Sequence, residues 1–268
     1  MNDRGDFDYM IFADRDKERK EVVEGFLKDG STLVIGLRSA RVERYFYRLA
    51  YDIYEMSDEI DGILWVCYNA TPTKVRERFE SYEIPIPENF WCIDMISSMI
   101  GLPKDDPQVI YCNTPTDYNC IFLTIDYVIK KIGRVVVAFD DLNAALSYDS
   151  PDRLVKVLRN LNNRIPEKGC TSLYLLVEGA TTPETENAIQ ATMNAIFRVG
   201  EKIQVSSPTR SIRLKKWFKT WEELEKTTWS DVFSFKDPVL YILLLISLVV
   251  NVFLMMLLFY VVMQRIGI

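Results

Sequence analysis

The sequence contains no histidine, and this absence excludes several kinds of chemistry. Histidine is the usual base at neutral pH and a common zinc ligand, so histidine-dependent hydrolysis is excluded and we predict no metal site. No C-x-x-C pair occurs, and the cysteines are odd in number: Cys67, Cys92, Cys112, Cys120 and Cys170. Most of them lie in apolar runs. We therefore expect unpaired cysteines, buried as small apolar side chains in a reducing cytoplasm.

Basic residues are outnumbered by acidic ones, 32 to 38, so the formal net charge is −6. Affinity for a phosphate backbone depends on basic surface, so we expect no nucleic-acid partner. One basic run contradicts this average: Arg210, Arg213, Lys215 and Lys216. The acidic balance of the whole chain outweighs that run.

Charge is entirely absent from a long segment near the C-terminus, Val239–Met263, which reads "VLYILLLISLVVNVFLMMLLFYVVM". As a helix rising about 1.5 Å per residue, it would span roughly 37 Å, more than a hydrocarbon core of about 30 Å. Its polar members Ser247 and Asn251 share one helix face and can hydrogen-bond to another helix. We predict a transmembrane helix over 238–264, with membrane contact through 239–263.

Residues 1–25 are charged and contain no apolar signal-peptide core, so we expect the N-terminal domain to stay in the cytoplasm. Basic residues are more frequent before the apolar segment, at Lys219, Lys226 and Lys236, than after it, as the positive-inside bias prefers. We predict a single-pass, tail-anchored protein of the cytoplasmic membrane. Residues 218–237 form an aromatic and charged tether, whose tryptophans either lie among lipid headgroups or pack back on the domain.

Short apolar runs separated by amphipathic segments predict a mostly parallel α/β sheet flanked by helices. The runs are Thr32–Ile35, Ile63–Tyr68, Trp91–Asp94, Val135–Phe139 and Leu173–Val177. Helices are predicted after Gly36 and after the serine cap and proline at Ser150-Pro151. Later, "NAIFRV" and "RSIRLKKW" flank a polar connection that contains Ser206, which predicts an antiparallel pair at one edge of the sheet.

A series of segments resembles one family in order and spacing. "TLVIGLRSARVER" occupies the place of a Walker A strand, loop and helix, and "GRVVVAFDDLNAAL" that of a Walker B strand. "GILWVCYNATPTKVRERFESYEI", "FWCIDMISSMIG" and "KGCTSLYLLVEGATTPE" are similar to further strands of the same family. Over residues 26–217 the chain therefore resembles the RecA/KaiC-like P-loop ATPase superfamily. The resemblance implies a RecA-like fold and an archaeal-type member.

The Walker A segment departs from its pattern. When G-x-x-x-x-G-K-S/T is laid on Gly36, Arg41 takes the place of the second glycine, Val42 that of the lysine and Glu43 that of the hydroxyl residue. Without the second glycine, the loop loses the freedom to wrap its N–H groups around a phosphate. Without the lysine, the phosphates lose a counter-charge, and Glu43 adds a negative charge beside a polyanion.

Some of the acidic residues that the family pattern has at its strand ends are present in this chain, and others are replaced. The resemblance implies acidic residues after the second strand, where Asn69 and Ala70 stand and neither can act as a base. It places Asp140 as the Walker B aspartate, with Asp141 beside it and Glu178 at the end of the next strand. Two independent losses lead us to expect no ATP hydrolysis and no bound cofactor.

One alternative is that the chain still binds a nucleotide. A cluster at the start of a helix, whose free N–H groups favour anions, consists of Gly36, Arg38, Ser39, Arg41 and Arg44. ATP with Mg²⁺ at a noncanonical site is therefore the alternative to a solvated or partner-facing surface.

The leading expectation is a membrane-anchored pseudoenzyme: a degenerate P-loop NTPase fold that acts as a scaffold or interaction module. We expect a protein partner or a homo-oligomer, which rests on analogy with the family. The alternative is a nucleotide-binding sensor or weak ATPase at the membrane. A DNA-associated recombinase relative is a third reading, which the net charge and the membrane tether oppose.

Overall fold

A single sheet forms the centre of the fold in this computed structural model, which describes residues 25–37, 40–102, 105–199 and 204–206. Its strands are β1 (Ser31–Gly36), β2 (Gly62–Cys67), β3 (Phe90–Asp94), β4 (Val109–Tyr111), β5 (Val135–Phe139), β6 (Thr171–Val177), β7 (Ala195–Val199) and β8 (Gln204–Ser206). They lie side by side in the order β4-β3-β2-β5-β6-β1-β7-β8. Strands β1 to β7 are parallel, and β8 is antiparallel to β7.

Helices connect most of the parallel strands. They are α1 (Ala40–Met56), α2 (Pro72–Ser81), α3 (Ser97–Ile100), α4 (Tyr118–Ile132), α5 (Leu142–Leu146), α6 (Pro151–Glu167) and α7 (Pro183–Gln190). Parallel neighbours cannot be joined by a tight turn, so each pair needs a crossover. The alternation of strands and helices gives an α/β fold with helices on the sheet, as the sequence predicts.

Both faces of the sheet are buried, which explains the continuous apolar runs of its strands. On β5, Val135, Val137 and Phe139 belong to one apolar layer, which side chains of α4 and α6 complete. The alternate residues of β5, Val136 and Ala138, are also fully buried. Because successive side chains of a strand point to opposite faces, they must face the other layer.

An aromatic cluster fills that second layer. Trp65 of β2 packs against Tyr47 of α1, with ring centroids 4.4 Å apart, and against Phe79 of α2, at 5.3 Å. Phe79 in turn contacts Phe90 of β3 in an edge-to-face arrangement. Helices α1 and α2 are therefore fixed to the sheet by large interlocking rings.

The five predicted apolar strands are present, and their bounds differ by two residues at most. The short strand β4 was not predicted. An antiparallel pair, β7 and β8, does lie at one edge of the described sheet, and β7 lies within the predicted run "NAIFRV". Its second strand is Gln204–Ser206 and not the predicted partner run, so the prediction that Ser206 lies in a connection is wrong. The run "RSIRLKKW" lies outside the described residues.

Both predicted helices are confirmed as α1 and α6. Ser150 does stand at the N-cap of α6, yet its side chain makes no capping hydrogen bond. Its carbonyl group instead accepts the N–H of Leu154 at 3.1 Å.

The cysteines contradict one prediction. Cys112 and Cys120 form a disulfide, whereas Cys67, Cys92 and Cys170 are buried and free, as expected. The pair is not a C-x-x-C motif. It forms because the connection from β4 to α4 turns back on itself, which places the first turn of the helix beside the end of the strand.

The predicted tether, 218–237, and the predicted membrane helix, 238–264, lie outside the described residues. Among the residues that the structure does describe, no helix has both the length and the hydrophobicity needed to cross a bilayer.

Candidate functional site

The predicted site residues that the structure describes gather at one edge of the sheet. The carboxyl ends of parallel strands share an edge, and Gly36 ends β1, Asp140 and Asp141 follow β5, and Glu178 follows β6. Because β6 lies between β1 and β5, Glu178 lies between Gly36 on one side and Asp140 and Asp141 on the other. Its N–H donates to the Gly36 carbonyl group at 2.8 Å. The topology therefore brings these positions together, as sequence order alone does not.

The remaining predicted residues lie in the turn after β1. Arg38 and Ser39 are outside the described residues, and Arg41 is in the first turn of α1.

Gly36 is required by close packing. A Cβ atom at this position would lie 2.3 Å from the Val199 carbonyl oxygen of β7 and 2.9 Å from Cγ2 of Val42. No side chain fits at these distances. The close approach of β1, β7 and α1 thus accounts for the glycine without a bound phosphate.

Val42 occupies a core position. It is 3% exposed, and its side chain packs against the backbone of Gly36. A lysine at this position would have to bury its ammonium group or distort the helix, and an unpaired buried charge is strongly unfavourable. The position that the resemblance assigns to a phosphate-binding lysine therefore belongs to the apolar interior.

Glu43 is engaged by the helix that faces it. Its carboxylate accepts a hydrogen bond from the Tyr82 hydroxyl group at 3.0 Å and lies 3.7 Å from Nη1 of Arg78. Burial, together with the charge of Glu43, raises the pKa of Tyr82 to about 12. These contacts tie the start of α1 to the end of α2, so Glu43 has a structural use where a magnesium-binding hydroxyl would stand.

Asp140 holds the loop that follows β2. Its Oδ1 atom accepts hydrogen bonds from the N–H groups of Tyr68, at 2.8 Å, and Asn69, at 3.2 Å. The residue is 1% exposed, and its Oδ2 atom has no hydrogen-bond partner among the described residues. Burial raises the pKa of Asp140 to about 7 despite the two N–H donors that lower it.

Asp141 and Asn143 fix the start of α5. The Asp141 carboxylate accepts the N–H of Asn143 at 2.8 Å and so caps the helix. The Asn143 amide then bridges to the end of β6, because its Oδ1 atom accepts the N–H of Val177 at 2.7 Å and its Nδ2 atom donates to the carbonyl group of Val177 at 3.3 Å. Sequence reasoning missed Asn143; its position two residues after an aspartate at a strand end was the available signal.

Glu178 pairs with Arg198 of β7. The same guanidinium group donates to Oε1 of Gln190 at 3.3 Å. Arg198 was not predicted, because it lies on β7 whereas Glu178 follows β6, and only the tertiary fold brings the two side chains together. The carboxylate at the end of β6 is thus neutralised within the domain.

Asp94, at the end of β3, serves the turn that follows it. Its Oδ1 atom accepts the N–H groups of Ile96 and Ser97 at 3.0 and 2.9 Å. Across the described part of the chain, no group of three or more cysteine, aspartate or glutamate residues is placed to hold a metal ion.

Many solved structures are similar to this chain, and two of them serve as examples. One is a KaiC-like protein from the hyperthermophilic archaeon Pyrococcus horikoshii, which is 13% identical, with a TM-score of 0.44 over 69% of this chain and 81% of that one. The other is a helicase ATPase domain, 10% identical, with a TM-score of 0.43 over 65% of this chain and 70% of that one. No family model matches the sequence, and no curated protein matches it.

Proposed function

We propose that this chain is a membrane-anchored, catalytically inactive RecA/KaiC-like module that acts as a cytoplasmic scaffold or interaction protein. The observation that supports inactivity most strongly is the packing at the start of α1. Val42 is buried against Gly36, and Glu43 is engaged by Arg78 and Tyr82. The two positions that should bind phosphate and magnesium are both used to hold the fold together.

The charges around the edge also disfavour a nucleotide. Arg78 and Arg198 each face a carboxylate, Glu43 and Glu178 respectively. To bind a phosphate, either arginine would have to leave its partner and uncover a negative charge beside a polyanion. Asn69, in place of an acidic residue, cannot activate a water molecule.

The apolar surface supports an interaction role. Large apolar side chains are exposed on connections that leave the carboxyl ends of strands: Leu37, Met99, Ile100, Leu102 and Tyr148. Met99, Ile100 and Leu102 lie within four successive positions and so form one small exposed apolar group, which is a candidate surface for a partner. We propose a protein partner or a second copy of the chain, no nucleic acid, and membrane attachment through 239–263.

Phosphate release by the purified full chain tests inactivity. With ATP and Mg²⁺ we expect release at the background rate, unchanged in Asp140→Ala and Glu178→Gln. Release above background that disappears in Asp140→Ala would overturn the proposal, because it would show hydrolysis at this site.

The alternative, a noncanonical nucleotide-binding sensor or weak ATPase, uses the loop of Arg38 and Arg41 with Asp140 and Glu178. The Oδ2 atom of Asp140, which has no hydrogen-bond partner among the described residues, favours it, since a buried polar atom without a partner is rare in folded proteins. A ligand at about 100 times its Kd would stabilise the folded state by about 2.7 kcal/mol. If millimolar ATP with Mg²⁺ raises the melting temperature of the full chain, and Arg38→Ala removes the shift, the sensor is the better proposal.

A further inference from the structure

The Cys112–Cys120 disulfide joins two segments beside the outer strand β4. Cys112 directly follows β4, and Cys120 lies in the first turn of α4. The bond therefore ties the end of a strand to the start of the next helix, across a connection of seven residues, 113–119.

The two cysteines differ in exposure. Cys112 is 1% exposed and belongs to the apolar layer beneath α4, whereas Cys120 is partly exposed. Cys112 is also held by its backbone: its N–H donates to the Asp94 carbonyl group at 2.9 Å, and its own carbonyl group accepts the Ser98 hydroxyl at 2.7 Å. A reagent in solvent therefore meets the crosslink from the side of Cys120.

We propose that Cys112–Cys120 is a thiol–disulfide exchange site, at which an external dithiol enters through the Sγ atom of Cys120. One thiolate of the dithiol forms an S–S bond to Cys120 Sγ. The Cys112–Cys120 bond breaks, and its electron pair leaves with Cys112 Sγ, which takes up a proton.

The second thiolate of the dithiol completes the reduction. It attacks the dithiol sulfur that is bonded to Cys120, forms a disulfide within the dithiol and releases Cys120 as a thiolate, which takes up a proton. The chain gains two electrons and two protons, and the dithiol loses the same number. Reduction leaves the end of β4 and the start of α4 joined only by the intervening chain.

The stability of the leaving thiolate favours attack at Cys112 and so opposes attack at Cys120. The greater exposure of Cys120 to solvent outweighs this effect. Cys120 lies at the N-terminus of α4, where the helix dipole favours a departing thiolate and hence attack at Cys112. The Asp117 carboxylate, which accepts the Cys120 N–H at 3.1 Å, offsets the dipole in that turn. Attack at Cys112 further requires the core to open locally around a buried sulfur atom. Because this opening costs free energy, it lowers the rate of attack at Cys112.

The free cysteines do not take part in the exchange as nucleophiles. Cys67, Cys92 and Cys170 are all buried. Burial raises the pKa of the Cys67 and Cys170 thiols, so both remain protonated at neutral pH and are poor nucleophiles. Exchange is therefore confined to the crosslinked pair.

Trapping the mixed disulfide tests the direction of attack. The full chain, purified without reductant, is exposed briefly to reduced glutathione, quenched with acid, alkylated with N-ethylmaleimide and mapped by peptide mass spectrometry. We expect glutathione on Cys120 and the alkyl group on Cys112, with the opposite arrangement rarer on the order of tenfold. Glutathione that is mostly on Cys112 or equally on both overturns the proposal, as does an untreated chain without the crosslink.

Single variants give a second measurement with a chromogenic aromatic disulfide as the probe. The full chain with Cys112→Ser keeps the exposed thiol, so it should react faster than the chain with Cys120→Ser, on the order of tenfold. Cys170→Ser is the matched control, since it removes a buried thiol, keeps the crosslink and should show no fast-reacting thiol. Equal rates in the first two variants contradict the proposal. Should a variant fail to fold, the mapping of the unaltered chain still decides.

Discussion

The Asp140 carboxyl group has an ordinary pKa of 3.8, and burial raises this pKa to about 7 in the folded chain. Between about pH 4 and pH 7, the folded chain therefore holds a proton that the unfolded chain has released, so this residue makes stability fall as the pH rises. We expect the melting temperature to drop between pH 5 and pH 7.5 by several degrees more in the unaltered full chain than in Asp140→Asn, in scanning calorimetry.

Asn69→Ala is the matched control for this prediction. It changes the loop that Asp140 holds but neither adds nor removes a titratable group. The control should retain the pH dependence of the unaltered chain. Identical pH profiles for Asp140→Asn and the unaltered chain would show that the Asp140 proton is not linked to folding.

Gly36→Ala tests whether packing accounts for the glycine. The added Cβ atom would lie 2.3 Å from the Val199 carbonyl oxygen, so β7 or α1 must move. We expect the free energy of unfolding to fall by about 1–3 kcal/mol in chemical denaturation. Gly101→Ala is the comparison: its Cβ meets nothing within 4 Å, although its φ of +68° is unfavourable for alanine. A smaller loss at Gly36 than at Gly101 would count against the packing argument.

At the scale of elements, the Asn143 amide is the link between α5 and β6. Asn143→Ala removes both hydrogen bonds to Val177 and leaves a half-buried backbone segment unpaired. We expect a loss of about 1–3 kcal/mol in unfolding free energy and faster hydrogen exchange of the Val177 amide. Asn187→Ala, on the exposed side of α7, is the control and should change neither quantity. Unchanged exchange at Val177 in Asn143→Ala would contradict the linking role.

The elements that the sequence predicts are those with the strongest local pattern. Strands buried on both faces, such as β5, read as continuous apolar runs, and parallel pairing then places their ends at one edge. The resemblance, and not this pattern, assigned Gly36, Asp140 and Glu178 to one site, and the topology places all three at that edge. The pattern missed β4, which has only three residues and is paired on one side.

The partners of the site residues could not be predicted. Arg78 reaches Glu43 from a helix 35 positions later in the sequence, and Arg198 reaches Glu178 from β7, 20 positions later, so both contacts depend on tertiary packing. The Cys112–Cys120 disulfide is similar, because only the path of the connection from β4 to α4 brings its sulfur atoms together.

At the scale of the whole molecule, the topology proposed for the membrane is open to a direct test. In sealed right-side-out vesicles, added protease should leave residues 1–217 intact and should digest them once detergent opens the vesicles. The physical reason is that, in the proposed topology, the apolar segment 239–263 would cross the bilayer and the charged residues before it would remain on the cytoplasmic side. A chain truncated before Pro238 is the control and should not sediment with membranes. Digestion of the domain in closed vesicles would refute the proposed orientation.

The two outermost strands of the described sheet, β4 and β8, are each three residues long. An outer strand exposes unpaired backbone groups to any other strand that approaches, and proteins commonly keep such strands short to prevent unwanted pairing. Strands of this length offer too few backbone hydrogen bonds to join two sheets into one. At the β4 edge, an assembly of this domain would therefore have to form through side chains on its helices and loops, which are specific to the partner, and not by extending its sheet from copy to copy.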